Sequence, residues 1–373
     1  MRSPVFFTTV FLLCLNSRAQ TLHVISGSVG DDKNAPLQGA TIFLTGRMNI
    51  TTSDANGNFR LNNLSAGNYS MVITMIGYKT VVKDVTIHDQ DIHLTLKLEQ
   101  QATYLKAVVV KPDKSRLEIL EIFKKAFLGE SENASQCKIL NSEVLTFNYD
   151  RKAGQLTAGT DDILTIKNQA LGYQIKYVLL NFKYDERKSA VSYEGYPSFE
   201  ELRGTTEEEA QWKINRRKAF LGSIHQFIRS VYDENCRASG FFVYKIKNRT
   251  PFDLSNINKN WIKIDYKQVS FDSLLTVKDE QFKTLNFSDA LYVIYTKAKE
   301  QVEYQDKNYS LAGVYTDRWM PEGQVSIVNL FGPVFIDENG FFTPIANLYF
   351  EGYMGWEKIA DLVPYEYTLA EQN

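Results

Sequence analysis

Gly27-Ser28-Val29, Pro36-Leu37-Gln38-Gly39-Ala40-Thr41-Ile42, Thr52-Ser53-Asp54-Ala55-Asn56-Gly57-Asn58-Phe59, Leu64-Ser65-Ala66-Gly67-Asn68-Tyr69 and Ile76-Gly77-Tyr78 follow one another within residues 27–78. Short β-forming runs alternate with turn residues. Asn56-Gly57 supplies the positive φ angles of a tight type I′ hairpin turn, so strands are expected on both sides of it. Phe59, Leu61 and Leu64, then Tyr69, Val72, Thr74 and Ile76, recur at roughly every second position, the period of a sheet with one buried face. Val81 and 85–87 continue the pattern, and Ile92, Leu94, Leu96 and Leu98 alternate cleanly to close it. Turn signals at this spacing predict about seven strands in a sandwich.

The order and types of these residues resemble the carboxypeptidase-regulatory-like domain, a small β-sandwich frequent at the N-terminus of Bacteroidota envelope proteins. The resemblance implies a non-catalytic appendage or interaction module. His23, His88 and His93 show no zinc-protease spacing, and Asp54, Asn56 and Asn58 depart from a calcium loop because Gly57 is displaced and Ser65 stands where a glutamate is needed. No metal and no cofactor is expected. The following run Tyr104 to Pro112, with Val108-Val109-Val110 inside it, is similar to the segment that follows the same sandwich in TonB-dependent receptors. The remaining residues lack the long series of ten-residue alternating strands that a barrel needs. The chain is therefore not such a receptor, although a barrel partner would be consistent with the likeness.

The expected division is a signal peptide over residues 1–19, the sandwich over 20–100, a linker over 101–115 and a β-rich α+β domain over 116–373. Arg2, the apolar run from Val5 to Leu15 and the small-residue pattern around Ser17-Arg18-Ala19 form the leader signal. That run is too short to cross a bilayer, and no later stretch is longer, so the reading is an exported protein, periplasmic or associated with the outer membrane, with no transmembrane segment in the mature chain. With 42 Lys+Arg against 44 Asp+Glu and no basic stripe, nucleic acid is not an expected partner. Apart from Cys14 in the leader, Cys137 and Cys236 are the only thiols. An oxidising compartment permits one disulfide between them, and two partly buried thiols serving as small apolar residues are at least as good a reading.

Beyond the linker, apolar residues Leu117, Ile119, Leu120, Ile122, Phe123, Ala126 and Phe127 fit a helix that stops at Gly129. Strand patterns follow at 138–149, 155–158, 163–166, 173–184 and 190–196. Thr206 to Glu209 has capping-box spacing and opens a long helix, or a pair broken near Gly222, carrying Ala210, Trp212, Ile214, Ala219, Phe220, Ile224, Phe227, Ile228, Val231 and Tyr232. Strands resume at 261–266, 291–295, 310–315 and 324–330. Segments such as 332–337, 352–353 and 359–367 resemble the tail of uncharacterised Bacteroidota proteins with this N-terminal module, a likeness that implies no chemistry. The fold class is thus mainly β: an N-terminal seven-stranded Ig/prealbumin-like β-sandwich, then a larger α+β domain with antiparallel sheet and a helical insertion.

His225 is the only histidine of the larger domain, so an imidazole acid/base mechanism there would use it. With Arg216, Arg217, Ser223 and Arg229 it could line an anion-binding or hydrolytic pocket, whereas a helix surface of ordinary polar residues explains the same letters. Asp161-Asp162 and Asp337-Glu338 are carboxylate pairs, the latter read as the hairpin turn 337–340. Trp319, Tyr353 and Trp356 are the candidates for an aromatic glycan-binding face, against the alternative of core rings. Asp272-Ser273-Leu274 resembles the O-glycosylation acceptor of Bacteroidota exported proteins, with the glycan on Ser273. The leading function is a non-enzymatic envelope protein whose sandwich serves as interaction module and whose partner is an envelope protein or glycan. A hydrolase of unrecognised family using His225, and an accessory subunit of an outer-membrane TonB-dependent transporter, are the competing classes.

Overall fold

The computed structural model describes residues 21–101, 115–247, 263–271, 274–277, 283–307, 311 and 318–369. The expected leader, most of the 101–115 linker and the Ser273 acceptor site lie outside them.

The N-terminal module comprises β1 (His23–Asp31), β2 (Thr41–Leu44), β3 (Ile50–Thr52), β4 (Asn58–Leu64), β5 (Gly67–Thr74), β6 (Val81–Ile87) and β7 (Ile92–Leu98). They form two sheets, ordered β4-β1-β7 and β3-β2-β5-β6. β7 runs parallel to β1 while the other pairs are antiparallel. Ile25, Val29, Ile42, Phe59, Leu61, Met71, Ile73, Ile87, Leu96 and Leu98 meet between the sheets, so the period-two residues of the sequence are the buried face. The Asn56-Gly57 turn differs from the expected hairpin. Gly57 has φ +77° but Asn56 does not adopt positive φ, and the strands it joins belong to different sheets. Asp54 Oδ1 accepts the N–H groups of Asn56 and Asn58 at 2.8 Å each, which turns the chain from one sheet into the other.

The larger part begins with α1 (Ser115–Leu128) and α2 (Glu132–Ser135), then β8 (Cys137–Ile139), β9 (Thr146–Asp150), β10 (Gln155–Gly159), β11 (Leu164–Asn168), β12 (Tyr173–Asp185) and β13 (Ala190–Glu201). These six strands make one antiparallel sheet, in which β12 carries β11 and β10 along one edge and β13 along the other. Phe123 and Phe127 of α1 pack on Tyr177, Phe182 and Tyr193 of that sheet, with ring centroids 4.7–6.2 Å apart. The helical insertion is the broken pair: α3 (Thr206–Phe220) and α4 (Ile224–Tyr232) part at Leu221-Gly222-Ser223, followed by α5 (Cys236–Ser239). The capping box sits one residue earlier than expected. Thr205, still extended at ψ 165°, accepts Glu208 N–H while Glu208 receives Thr205 N–H, because a cap must precede the first helical residue. Ile214, expected in the apolar stripe, is instead exposed.

Two further antiparallel sheets complete this part. β14 (Phe241–Lys247), β15 (Lys263–Gln268), β16 (Leu275–Val277), β17 (Lys283–Leu285), β18 (Ala290–Tyr295), α6 (Val302–Asp306), β19 (Gln324–Leu330), β20 (Val334–Ile336), β21 (Phe342–Thr343), β22 (Leu348–Gly352) and α7 (Tyr353–Trp356) follow in chain order. The sheet orders are β15-β14-β18-β19-β22 and β16-β17-β20-β21. Phe227, Ile228 and Val231 of α4 fill the core against Phe241, Val293, Val328 and Ile336. The protein is mainly β, with the sandwich followed by a larger sheet-rich part carrying helices. Among the described residues, no helix is long and apolar enough to cross a membrane.

The sandwich is packed against the larger part. Phe43 and Val72 form a buried cluster with Val178, flanked by Ile50, Ile163 and Tyr196. The turn between β2 and β3 inserts between β13 and the C-terminal segment: Gly46 N–H donates to Pro197 O at 2.7 Å, Phe199 N–H to Arg47 O at 3.0 Å, and Tyr365 N–H to Gly46 O at 2.8 Å.

Candidate functional site at the seam

This insertion gathers a polar cluster. Arg47, only 7% exposed, stacks over the Tyr69 ring at 4.7 Å and places Nη1 3.8 Å from Glu366 Oε1, an ion pair beyond hydrogen-bond length. Arg229 of α4 donates from Nη1 to Tyr367 O at 2.7 Å and from Nη2 to Tyr365 O at 2.5 Å. Asp337 accepts Asn339 N–H and Phe341 N–H on Oδ1, which shapes the turn between β20 and β21. Burial raises the carboxyl pKa values of Asp337 and Glu366, and Arg47 opposes the rise at both.

A cleft of about 340 Å³ opens where the sandwich meets this turn. Thr21, His23, Gly67, Asn68, His88 and Asp89 line one side, and Tyr232, Asp337, Glu338 and Asn339 the other. Asp337 and Asn68 are 3% and 7% exposed. Asp337 Oδ2 and Asn68 Nδ2 are nevertheless buried atoms without a hydrogen-bond partner. Asn68 Oδ1 is taken by the Thr86 hydroxyl at 2.5 Å, which fixes the amide so that its NH2 is the free end. A second, smaller cleft of about 180 Å³ lies on the seam between Met48, Tyr173, Glu201, Lys213, Arg216 and the tail residues Pro364, Glu366 and Tyr367.

The residues expected to share one pocket are dispersed. Arg216 lines the smaller cleft, but its guanidinium is engaged: it donates to Leu171 O and Gly172 O, pairs with Glu201 at 2.7 Å and stacks over Tyr173 at 3.9 Å. Arg217 is exposed. Ser223 caps α4 by accepting Gln226 N–H. Arg229 holds the tail. Neither the joint pocket nor the solvated helix face describes His225, which is buried between Phe220 and Tyr365 with ring centroids 5.2 Å from each. Its Nε2 lies 2.7 Å from Asn339 O. A carbonyl only accepts, so Nε2 carries the proton and Nδ1 is left a bare, buried acceptor without a partner. Burial first, then the Arg229 charge, hold its pKa well below the usual histidine range.

A depressed imidazole makes stability pH-dependent in one direction. Above the unfolded pKa, about 6.5, the ring is neutral in both states and costs nothing. Below it the unfolded chain takes up a proton that the folded chain refuses, so stability falls with falling pH until the folded pKa is reached. Substituting His225→Phe should remove this component. Denaturant unfolding at pH 7.5 and pH 5 should show a smaller loss on acidification in the variant than in the parent, and equal losses would contradict the buried neutral ring.

Cys137 and Cys236 are not bridged. Cys137 starts β8 and packs against the core beneath the six-stranded sheet. Cys236 belongs to the core around α4 and lies 3.3 Å from the Ser230 hydroxyl. Burial pushes each thiol up to about 12, and a thiolate is the reactive form. A thiol-reactive reagent at pH 8 should therefore label the buried Cys236 only after denaturation and the partly exposed Cys137 slowly; rapid labelling of Cys236 in the folded protein would contradict its burial.

The expected aromatic face does not exist as one surface. Trp319 is 86% exposed, whereas Tyr353 is 1% exposed and packs with Trp356 and Tyr304 at 5.3–5.5 Å. β22 delivers Tyr353 into this cluster at the start of α7. Nearby, Asp361 accepts from Ser131 Oγ at 2.7 Å and Asn133 Nδ2 at 3.0 Å, tying the tail to α2, and burial lowers Lys358 to about 8. Those bonds account for the cluster as structure. Among the described residues no group of three or more His, Cys, Asp or Glu side chains is arranged to hold a metal ion.

Sequence reading recognised Asp337-Glu338 as a carboxylate pair and a turn, which the β20–β21 hairpin bears out. Arg47, Asn68 and Asp89 carry no signal in the sequence, and His88 enters there only as a rejected zinc ligand, because only the docked sandwich brings them to the seam.

A seven-stranded sandwich with an added, integrated sheet-rich part is the class defined by this geometry. Residues 25–110 match the CarboxypepD_reg-like domain family, so the sandwich is a carboxypeptidase-regulatory-like domain. No curated protein matches the chain. Among solved structures, a type II cohesin–X-dockerin complex from Acetivibrio cellulolyticus is similar at 23% identity over 21% of this chain and 58% of that one, with a TM-score of 0.20. The major pilin subunit of Bacillus cereus is similar at 20% identity over 22% and 31%, with a TM-score of 0.19. Catechol 1,2-dioxygenase from Pseudomonas arvilla follows at 10% identity over 24% and 55%, with a TM-score of 0.20. The chain thus spans less than two thirds of these structures, and scores this low carry no argument about what it does.

Proposed function

We propose that this is an exported cell-envelope protein with a non-enzymatic binding or scaffold role, in which the sandwich is the interaction module. The leader pattern of residues 1–19 supports export, and the regulatory-like domain supports interaction over catalysis. The observation that carries the binding reading is the 340 Å³ cleft whose two sides come from the two parts of the chain. Clefts between packed units are preferred ligand sites. The ligand class is an envelope protein or glycan, and the sandwich works as one wall of the site, orienting it against the larger part. A hydrolase built on His225 gains no support, since that ring is buried with Nε2 committed to Asn339 O.

Photo-crosslinking in cells of the native host tests this. A crosslinking amino acid placed at His88 or Glu338 in the full-length chain should yield a reproducible adduct with one envelope component, and the same group at the exposed Leu117 should not. No adduct at either cleft position, or the same adduct from all three, would sink the proposal.

A further inference from the structure

We propose that the seam is a pH-sensitive latch, in which a proton on His225 favours release of the sandwich from the larger part. The inference goes beyond the binding reading and needs no ligand in the cleft. It stands on which groups shut the imidazole in.

The Tyr365 ring joins the two parts of the chain. It packs edge-on against His225 of α4, with ring centroids 5.2 Å apart. The same ring meets Gly46 of the sandwich so closely that a Cβ there would stand 2.1 Å from Tyr365 Cε2, and Tyr365 N–H donates to Gly46 O. The sandwich thus backs the side chain that covers His225. When it leaves, the ring loses that wall and water gains a route to Nδ1, a buried atom with no partner in the docked protein.

Charge works in the same direction. Around the imidazole stand Arg229 on its own helix, Arg47 on the sandwich turn, Tyr365 and Glu366 on the tail, and Asp337 and Glu338 on the β20–β21 turn that supplies Asn339 O. From α3 comes the uncharged Phe220. Both arginines oppose a proton on His225, and Arg47 departs with the sandwich. Docking therefore excludes the proton through Tyr365 and through Arg47, and undocking relaxes both. Coupling between two equilibria is reciprocal, so what the sandwich does to the proton the proton does to the sandwich.

The joint itself is small. Phe43 and Val72 of the sandwich share a buried cluster with Val178 alone of the larger part, while Ile25, Ile42, Leu61, Ile73 and Leu98 form a separate core inside the sandwich. Such a seam can open without unfolding either part. Opening would also take the cleft apart, because its two sides belong to the two parts.

Above about pH 6.5 the ring is neutral in both states and docking is unaffected. Below it the released state takes up a proton that the docked state refuses, so docking weakens by about thirtyfold at pH 5. Asp337 and Glu366 act in the opposite sense. Burial raises both carboxyls, so they hold protons more tightly docked than released. Comparing the parent with His225→Phe, which retains both carboxyls, isolates the histidine.

Hydrogen exchange of the full-length chain at pH 7.5 and pH 5, corrected for the intrinsic pH dependence of amide exchange, reads the opening directly. The seam reporters are the Gly46, Phe199 and Tyr365 amides, which bond Pro197 O, Arg47 O and Gly46 O. The internal reference is β18, paired on both edges by β14 and β19. Seam amides should be less protected than β18 at both pH values. On acidification their protection should fall about thirtyfold further in the parent than in His225→Phe. Should that variant fail to fold, His225→Gln, which retains a donor for Asn339 O, takes its place. A fall no larger in the parent than in the variant would overturn the latch, and so would seam amides that exchange only as slowly as β18, since the seam would then open only on global unfolding.

Discussion

Replacing Gly46 with valine should release the sandwich from the rest of the protein. Gly46 has φ +71°, a conformation that costs a residue with a Cβ roughly 1–2 kcal/mol. A Cβ built there would lie 2.1 Å from Tyr365 Cε2. The ring has little room to retreat, since it packs edge-on against His225 at 5.2 Å and Phe341 at 5.8 Å. Overpacking of this kind adds about 1–3 kcal/mol. The same peptide also bonds Pro197 on one side and Tyr365 on the other, so moving the backbone to relieve the clash breaks both contacts. The sandwich keeps its own core of Ile25, Ile42, Leu61, Ile73 and Leu98 and should stay folded. Calorimetry of Gly46→Val is expected to show a lower-melting larger part separated from a sandwich transition, where the parent should melt as one unit. A single transition at the parent temperature would show that the seam does not couple the two parts.

The sequence carried the local rules and missed the long-range ones. Leu96 and Leu98 point inward because a strand alternates faces, and that is visible in seven letters. The break between α3 and α4 at Gly222, the Asp337–Gly340 turn and the helix ending at Leu128 are likewise statements about neighbouring residues. The Asn56-Gly57 turn was misread for a related reason: the dipeptide reports a change of direction, and whether the flanking strands pair is decided by sheet order. Nothing local in Arg229 says that it will meet Tyr365 and Tyr367, 136 and 138 residues later. Its helical spacing fits a solvated face equally well. The sequence left the cysteines open between a bridge and two free thiols, because pairing depends on which core each enters, and Cys137 and Cys236 enter different ones. Tyr353 and Trp319 look alike as aromatic letters, yet one closes a buried cluster and the other stands in solvent. The candidate site was the least legible feature, since its two walls are separated by about the full length of the larger part. Only the pairing of Asp337 with Glu338 marked it in advance.

Arg229→Met should produce the largest loss of stability among single substitutions at the seam. Methionine keeps much of the length of the side chain that lies over Phe220, whose ring centre is 5.5 Å from the guanidinium, so the change isolates the charge. Two charge-assisted hydrogen bonds vanish, and the carbonyls of Tyr365 and Tyr367 lose the donor that fixed them. Asp337 and Glu366 keep Arg47 as their nearest cation but lose the second one on that side. Removing one member of such a buried charge cluster costs about 3–5 kcal/mol, which the shift in the urea midpoint would register. Arg229→Lys should recover only part of it, because a single ammonium cannot fork to two carbonyls. The deficit should also depend on pH. Both carboxyls already have raised pKa values in the folded protein, and losing a cation raises them further. The penalty for holding them ionised is therefore present at neutral pH, and it fades as acidification protonates them. Compared with the parent at each pH, Arg229→Met should be less defective at pH 4.5 than at pH 7. An equal deficit at both would assign the whole effect to the two carbonyl contacts and none to the carboxylates of the seam.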